Sequence, residues 1–76
     1  MFVYSASRFS RAAYGTGGTT FPMGIFSSYE TAINAARKIL AGDQWSSVTI
    51  VEHVLDDAPT GNRWFVKNVD GAFQVS

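Results

Sequence analysis

One stretch of this chain spaces its apolar residues as a helix does. Tyr29, Ala32, Ile33, Ala36, Ile39 and Leu40 recur at helical intervals, while Glu30, Asn34, Arg37 and Lys38 fall largely on the opposite side. Ser27, with Glu30 three residues on, reads as a capping box. Arg37 and Lys38 suit the negative end of the helix dipole, and Gly42 supplies the stop. A lone amphipathic helix must bury its apolar stripe against another layer, and the remaining segments offer strands.

Residues 2–9 alternate, with Phe2, Tyr4 and Ala6 on one face and Val3, Ser5 and Ser7 on the other. In residues 20–26, Phe21, Met23 and Ile25 share a face. Pro22 lacks a ladder donor and favours an edge position. Residues 46–55 are rich in β-branched side chains. There Val48 and Ile50 favour one face and Val51 and Leu55 the other, so either both faces are covered or a bulge changes the facing midway. A fourth strand follows at 63–69, Asp70-Gly71 reads as a two-residue hairpin turn, and 72–75 form a short last strand. Residues 10–19, with Gly15, Gly17 and Gly18, form a loop, and 56–62 are dense in turn formers. These segments predict an α+β fold, a single domain over 1–76. Its antiparallel sheet has four to five strands, with one helix packed on one face, in the order ββαβββ.

A chain of 76 residues buries only about 60% of the surface its unfolded form exposes, so the core is thin. It holds no cysteine, hence no disulfide and no thiolate metal site. Six basic and six acidic residues cancel, which argues against a generic nucleic-acid binder and against an acidic mimic of DNA. The distribution is uneven: Arg8 and Arg11 lead the chain, while Asp43, Glu52, Asp56 and Asp57 dominate its middle. No apolar run approaches the ~20 residues of a membrane span, and residues 1–5 do not read as a signal peptide. A soluble, cytoplasmic protein with no membrane partner is the expectation.

Little in the sequence points to catalysis. His53 is the only histidine and has no matched partner nearby, so it reads as a packed or rim residue. Asp56-Asp57 lacks the further carboxylates of a calcium loop and reads as a solvated turn. Gly15-Thr16-Gly17-Gly18 leads into a strand with no lysine nearby, unlike a phosphate loop. No catalytic, cofactor or metal site is expected.

Trp64 and Phe65 must point to opposite faces of their strand. One ring enters the helix-covered core. The other lies on the far face, where Phe73, Val51 and His53 join it, either as a second small core or as a docking or homodimer face. RNA binding through sheet aromatics is conceivable, with Lys67 and Arg63 supplying some charge. The aromatic signature of an RNA-recognition sheet is absent, so no direct nucleic-acid binding is expected.

The segment Gly24-Ile25-Phe26-Ser27-Ser28-Tyr29-Glu30-Thr31-Ala32 resembles a strand-to-helix junction common in small phage and prophage proteins. Chain size and element order also resemble several small anti-CRISPR proteins. The resemblance implies a stoichiometric inhibitor that binds a bacterial defence complex. Such proteins often mimic DNA through acidic surfaces, a pattern from which the balanced charge departs.

The reading is a non-enzymatic protein-binding module, phage-encoded by that resemblance. Its contacts are assigned to Arg8, Arg11 and Tyr14 beside the glycine loop, to Asp56 and Asp57, and to the sheet residues Val51, His53, Phe65 and Phe73. Homodimerisation through the sheet face is the alternative. A deep pocket holding His53 with two carboxylates would revive an enzyme.

Overall fold

The computed structural model describes residues 1–11, 17–43 and 46–76. Along them run β1 (Phe2–Arg11), β2 (Gly18–Phe26), α1 (Tyr29–Leu40), β3 (Ser46–Val54), β4 (Pro59–Val69) and β5 (Ala72–Val75). The five strands form one sheet in the order β2-β1-β3-β4-β5, every neighbour antiparallel. The element order ββαβββ and the single helix are as expected. β2 and β3 both run against β1, so they are parallel to each other, and α1 links them across it.

The helix starts one residue later than the capping box predicted. Ser28, not Ser27, is the cap: its backbone is extended, and its Oγ accepts from the Thr31 amide at 3.2 Å. Thr31 therefore holds the position expected for Glu30, and its Oγ1 lies 2.7 Å from Ser28 Oγ. Starting at Tyr29 sets that ring 4.7 Å from Trp64, with Tyr4 completing an aromatic triad at 6.2 and 6.1 Å. Below the triad, Ala32, Ile33, Ala36 and Leu40 meet Ala6 of β1, Val48 and Ile50 of β3 and Val66 of β4, all buried. Alanines at 6, 32 and 36 let helix and sheet approach closely, which suits a core this small.

Two bulges shape the sheet. Between β1 and β2 the register steps from Ala6↔Gly24 to Ser7↔Pro22, leaving Met23 as the extra residue and Gly24 at φ 136°. This overturns the expectation that Phe21, Met23 and Ile25 share a face. Ile25 stands opposite Ser5, whereas Phe21 stands opposite Arg8, on the helix side. Pro22 does lie on an edge strand.

The second bulge falls where the β3 pattern wavered. His53 pairs with Pro59 and Val51 with Arg63, so β4 carries extra residues opposite Glu52. Pro59–Asn62 therefore belong to β4, not to the preceding turn, with Gly61 at φ 94°. Glu52 fills the irregularity. Its Oε1 accepts from Thr60 Oγ1 at 2.8 Å and Asn62 Nδ2 at 3.1 Å, and its Oε2 accepts from Tyr4 OH at 3.0 Å.

These bonds fix the sign of a pH effect. Hydrogen bonds from Thr60, then Asn62, with a smaller one from Tyr4, hold the Glu52 carboxyl below its ordinary value despite partial desolvation. The Tyr4 phenol is raised, first by its bond to Glu52, then by burial and by the carboxylate charge. Glu52 thus contributes stability that is present above its unfolded value and lost as pH falls through its folded one. Tyr4 contributes stability present below its unfolded value and lost as pH climbs through its raised one. Urea midpoints across pH are expected to fall at both ends. Glu52→Gln should flatten the acid arm, and an unchanged acid arm would contradict the assignment.

At the other end of the helix, Leu40-Ala41-Gly42-Asp43 closes a turn. Asp43 N donates to Leu40 O at 3.0 Å, Ala41 has φ −60° and ψ 117°, and Gly42 has φ 74°, a type II geometry that needs glycine third. Leu40 O also accepts from Nδ2 of buried Asn68 at 2.8 Å, and Asn68 Oδ1 accepts from Gly71 N at 3.0 Å. Asn68 so ties the helix end to the β4–β5 hairpin. Asp70 (φ 52°) and Gly71 (φ 85°) give the expected two-residue turn its primed form.

Candidate recognition surface

In an antiparallel sheet, residues directly opposite one another project to the same side. The registers therefore sort every paired position. The helix side carries Tyr4, Ala6 and Arg8, with Glu52, Ile50 and Val48 opposite, then Trp64 and Val66. The other side, which α1 leaves open, carries Val3, Ser5, Ser7 and Phe9 on β1 and His53, Val51, Thr49 and Ser47 on β3. Arg63, Phe65 and Lys67 extend it on β4, Gln74 on β5, and Ile25 and Thr20 on β2.

Three of the residues assigned to partner contact, Val51, His53 and Phe65, lie together on this open face. Phe73 does not join them. It stands opposite Asn68, whose amide reaches the helix end, so it belongs to the helix side, beyond the helix's cover at 37% exposed. The two-residue Asp70-Gly71 turn implies this register, pairing 68 with 73, and the sequence grouping did not carry it through. Trp64 is the core ring and Phe65 the open-face ring.

Arg8 is engaged within the fold. Its Nη2 donates to Asp43 Oδ2 at 2.8 Å, and its Nε donates to Ser46 Oγ at 3.3 Å. Buried Ser46 in turn donates to Asp43 Oδ2 at 2.8 Å. This cluster fastens the helix-to-β3 connection to β1, so Arg8 acts as a structural clasp, a role that only the fold reveals. Arg11 ends β1 opposite Gly18, and Tyr14 lies outside the described residues.

At one end of the open face the structure brings His53, Asp56 and Asp57 together. They line an open cavity of about 310 Å3 with Val3, Ser5, Ile25, Val54 and Leu55. Ser5 Oγ lies 2.9 Å from His53 Nε2, a hydrogen bond whose direction the tautomer sets. Asp57 accepts from its neighbour's amide, Ala58 N, at 2.7 Å, and Asp57 N closes the turn onto Val54 O. Asp56 sits at φ 63° in that turn.

The pair of hydroxyl and imidazole is within proton-transfer reach. Among the described residues, however, no carboxylate is hydrogen-bonded to the imidazole, so the orienting third member of a nucleophilic triad is not assembled. Nor do His53, Asp56 and Asp57, or any other such group among the described residues, come close enough to one another to hold a metal ion. The cavity is a place for a side chain or small group to seat.

The rest of the face is hydroxyl-rich and carries two exposed rings, Phe9 at 41% and Phe65 at 40%. The Phe9 ring lies over Gly18. A methyl group built there would come within 2.6 Å of Phe9 Cζ and 2.5 Å of Ser10 O, so glycine alone permits the ring to lie down. Arg63 and Lys67 are exposed on the same face and make no ion pair with any described residue. No strand position of the face holds an acid: Glu52 points to the helix side, and Asp56, Asp57 and Asp70 sit in turns. The strands of this face thus carry two cations and no acid although the charges of the chain cancel. Alternation from Val3 through Phe9 could have shown the ring on this face; the absence of acids needed the registers.

No family model, curated protein or solved structure matches the chain. No helix among the described residues is long and apolar enough to cross a membrane.

Proposed function

We propose that this chain is a binding protein that recognises another macromolecule through the open face of its sheet. The observation carrying this is the pairing of two exposed aromatic rings with two exposed cations, which form no ion pair among the described residues, on a face that α1 does not cover. Aromatic and arginine side chains commonly anchor recognition surfaces, and the neighbouring cavity adds a seat at one end. Action as an inhibitor of a bacterial defence complex rests on the strand-to-helix junction, chain size and element order alone; the open-face reading does not depend on it.

Charge argues against the homodimer alternative on this face. A two-fold dimer sets the same patch against itself, which would bury Arg63 and Lys67 of both copies with no strand acid on that face to meet them.

A photo-reactive residue at Thr49, central on the open face, tests the reading. In an extract of the producing cells, it should yield a discrete adduct that the same probe at Arg37, on the helix's exposed side, does not. Phe65→Ala should abolish the adduct. Equal labelling from both positions would refute an open-face site.

A further inference from the structure

We propose that the macromolecule is single-stranded RNA, with bases stacked on Phe9 and Phe65 and phosphates paired with Arg63 and Lys67. This rests on the open face being the recognition surface and names its partner.

Three features converge. The first is charge. The strip from Phe9 to Phe65 contains cations and no acid: Asp56 and Asp57 stand past His53 and Asp70 past Val69, Glu52 points to the helix side, Glu30 lies on α1 and Asp43 in the turn after it. A polyanion crossing the strands between those turns meets only positive charge. An apolar protein partner would leave Arg63 and Lys67 without counter-charge.

The second is ring placement. Phe9 stands opposite Ser47, and Phe65 stands opposite Thr49. Two strand spacings across and one residue pair along put the two backbones about 12 Å apart. That leaves room for an intervening nucleotide between two stacked bases. Phe9 is held low by Gly18 and keeps 41% of its surface exposed. Aromatic rings on a sheet bind single strands in this way because every base has a flat face, whereas duplex bases are stacked on each other already.

The third feature separates RNA from DNA. Between the two rings the face presents hydroxyls, Ser7, Ser47 and Thr49, with Lys67 beside Ser47. Hydroxyls can donate to and accept from a ribose 2′-OH, the group that DNA lacks.

The balance of charge over the whole chain pointed away from nucleic acid, yet it averages a basic face with an acidic remainder. The balance that matters to a ligand is that of the face it touches.

Fluorescence anisotropy with a labelled twelve-nucleotide oligouridine tests the proposal. Binding is expected with Kd of about 10⁻⁴–10⁻⁶ M at physiological salt. Two phosphate contacts predict an affinity about sevenfold weaker at 200 than at 50 mM salt. Phe65→Ala should weaken binding by about 5- to 160-fold, and Lys67→Gln should roughly halve the salt dependence. Arg37→Gln should change neither. Oligodeoxythymidine of the same length should bind more weakly.

Lys67→Gln, at an exposed site, keeps the test valid if Phe65→Ala does not fold. No binding at the top of that range, binding indifferent to Lys67→Gln, or equal affinity for the DNA strand would overturn the proposal. A Thr49 adduct that resists ribonuclease but yields to protease would also overturn it, while leaving the open-face reading intact.

Discussion

Ile50→Ala is expected to remove about 2–5 kcal/mol of folding stability. Ile50 is fully buried on the central strand, with Ala6 on one side, Trp64 on the other and α1 above. A domain of this size holds only about 4–11 kcal/mol in total, so the loss takes a large share. Ala6, paired with it on β1, has no rotamer with which to fill the gap, so the cavity closes only in part. Ile50→Val should cost only about 0.5–1.5 kcal/mol. Thr49→Ala, one residue away on the open face, should stay within about 0.5 kcal/mol. Urea unfolding followed by tryptophan fluorescence reads all three. A similar midpoint for Ile50→Ala and Thr49→Ala would mean that the helix does not cover the side assigned to it.

The second large effect is expected at Asn68, where alanine should cost about 2–4 kcal/mol. The substitution removes a donor from Leu40 O and an acceptor from Gly71 N in a place with little access to water. Leu40 O retains the Asp43 amide, which keeps the cost from rising further. Asn68→Asp separates the two roles. It can still accept from Gly71, but it sets a negative charge against the carbonyl end of α1, and should be at least as harmful as alanine near neutral pH. If the aspartate variant matched wild type in urea, the link to the helix end would be refuted.

How far the sequence could be read depends on the range over which each signal acts. The helix, its glycine stop, the Asp70-Gly71 turn and the edge position of Pro22 depend on backbone chemistry within a few residues, and all were legible. The cap slipped from Ser27 to Ser28 because two adjacent serines offer the same oxygen, and the contact of Tyr29 with Trp64 decides between them. The faces of Phe21 and Phe73 were misjudged for a different reason. Alternation holds only while the register is unbroken, and the bulge at Met23 breaks it for Phe21; the pairing of Asn68 with Phe73 follows from the two-residue Asp70-Gly71 turn, which the grouping of Phe73 with Phe65 overlooked.

The candidate surface divides in the same way. Val51, His53 and Phe65 follow from strand parity, whereas the clasp of Arg8 by Asp43 and Ser46 joins residues more than thirty apart in the chain. The meeting of Ser5 with His53 has the same origin. Net charge concealed the most consequential feature, because a sum over the chain carries no record of which side of a sheet each charge occupies.

The strand order has a consequence for synthesis. β1 lies between β2, which follows it closely, and β3, which comes after the helix; Ser10 must wait for Ser46 and Phe2 for Val54. At about 5–20 residues per second, a ribosome completes one flank of β1 roughly 1–6 s before it delivers the other. During that interval a nascent hairpin shows water a raw hydrogen-bonding border, and its partner has yet to be translated.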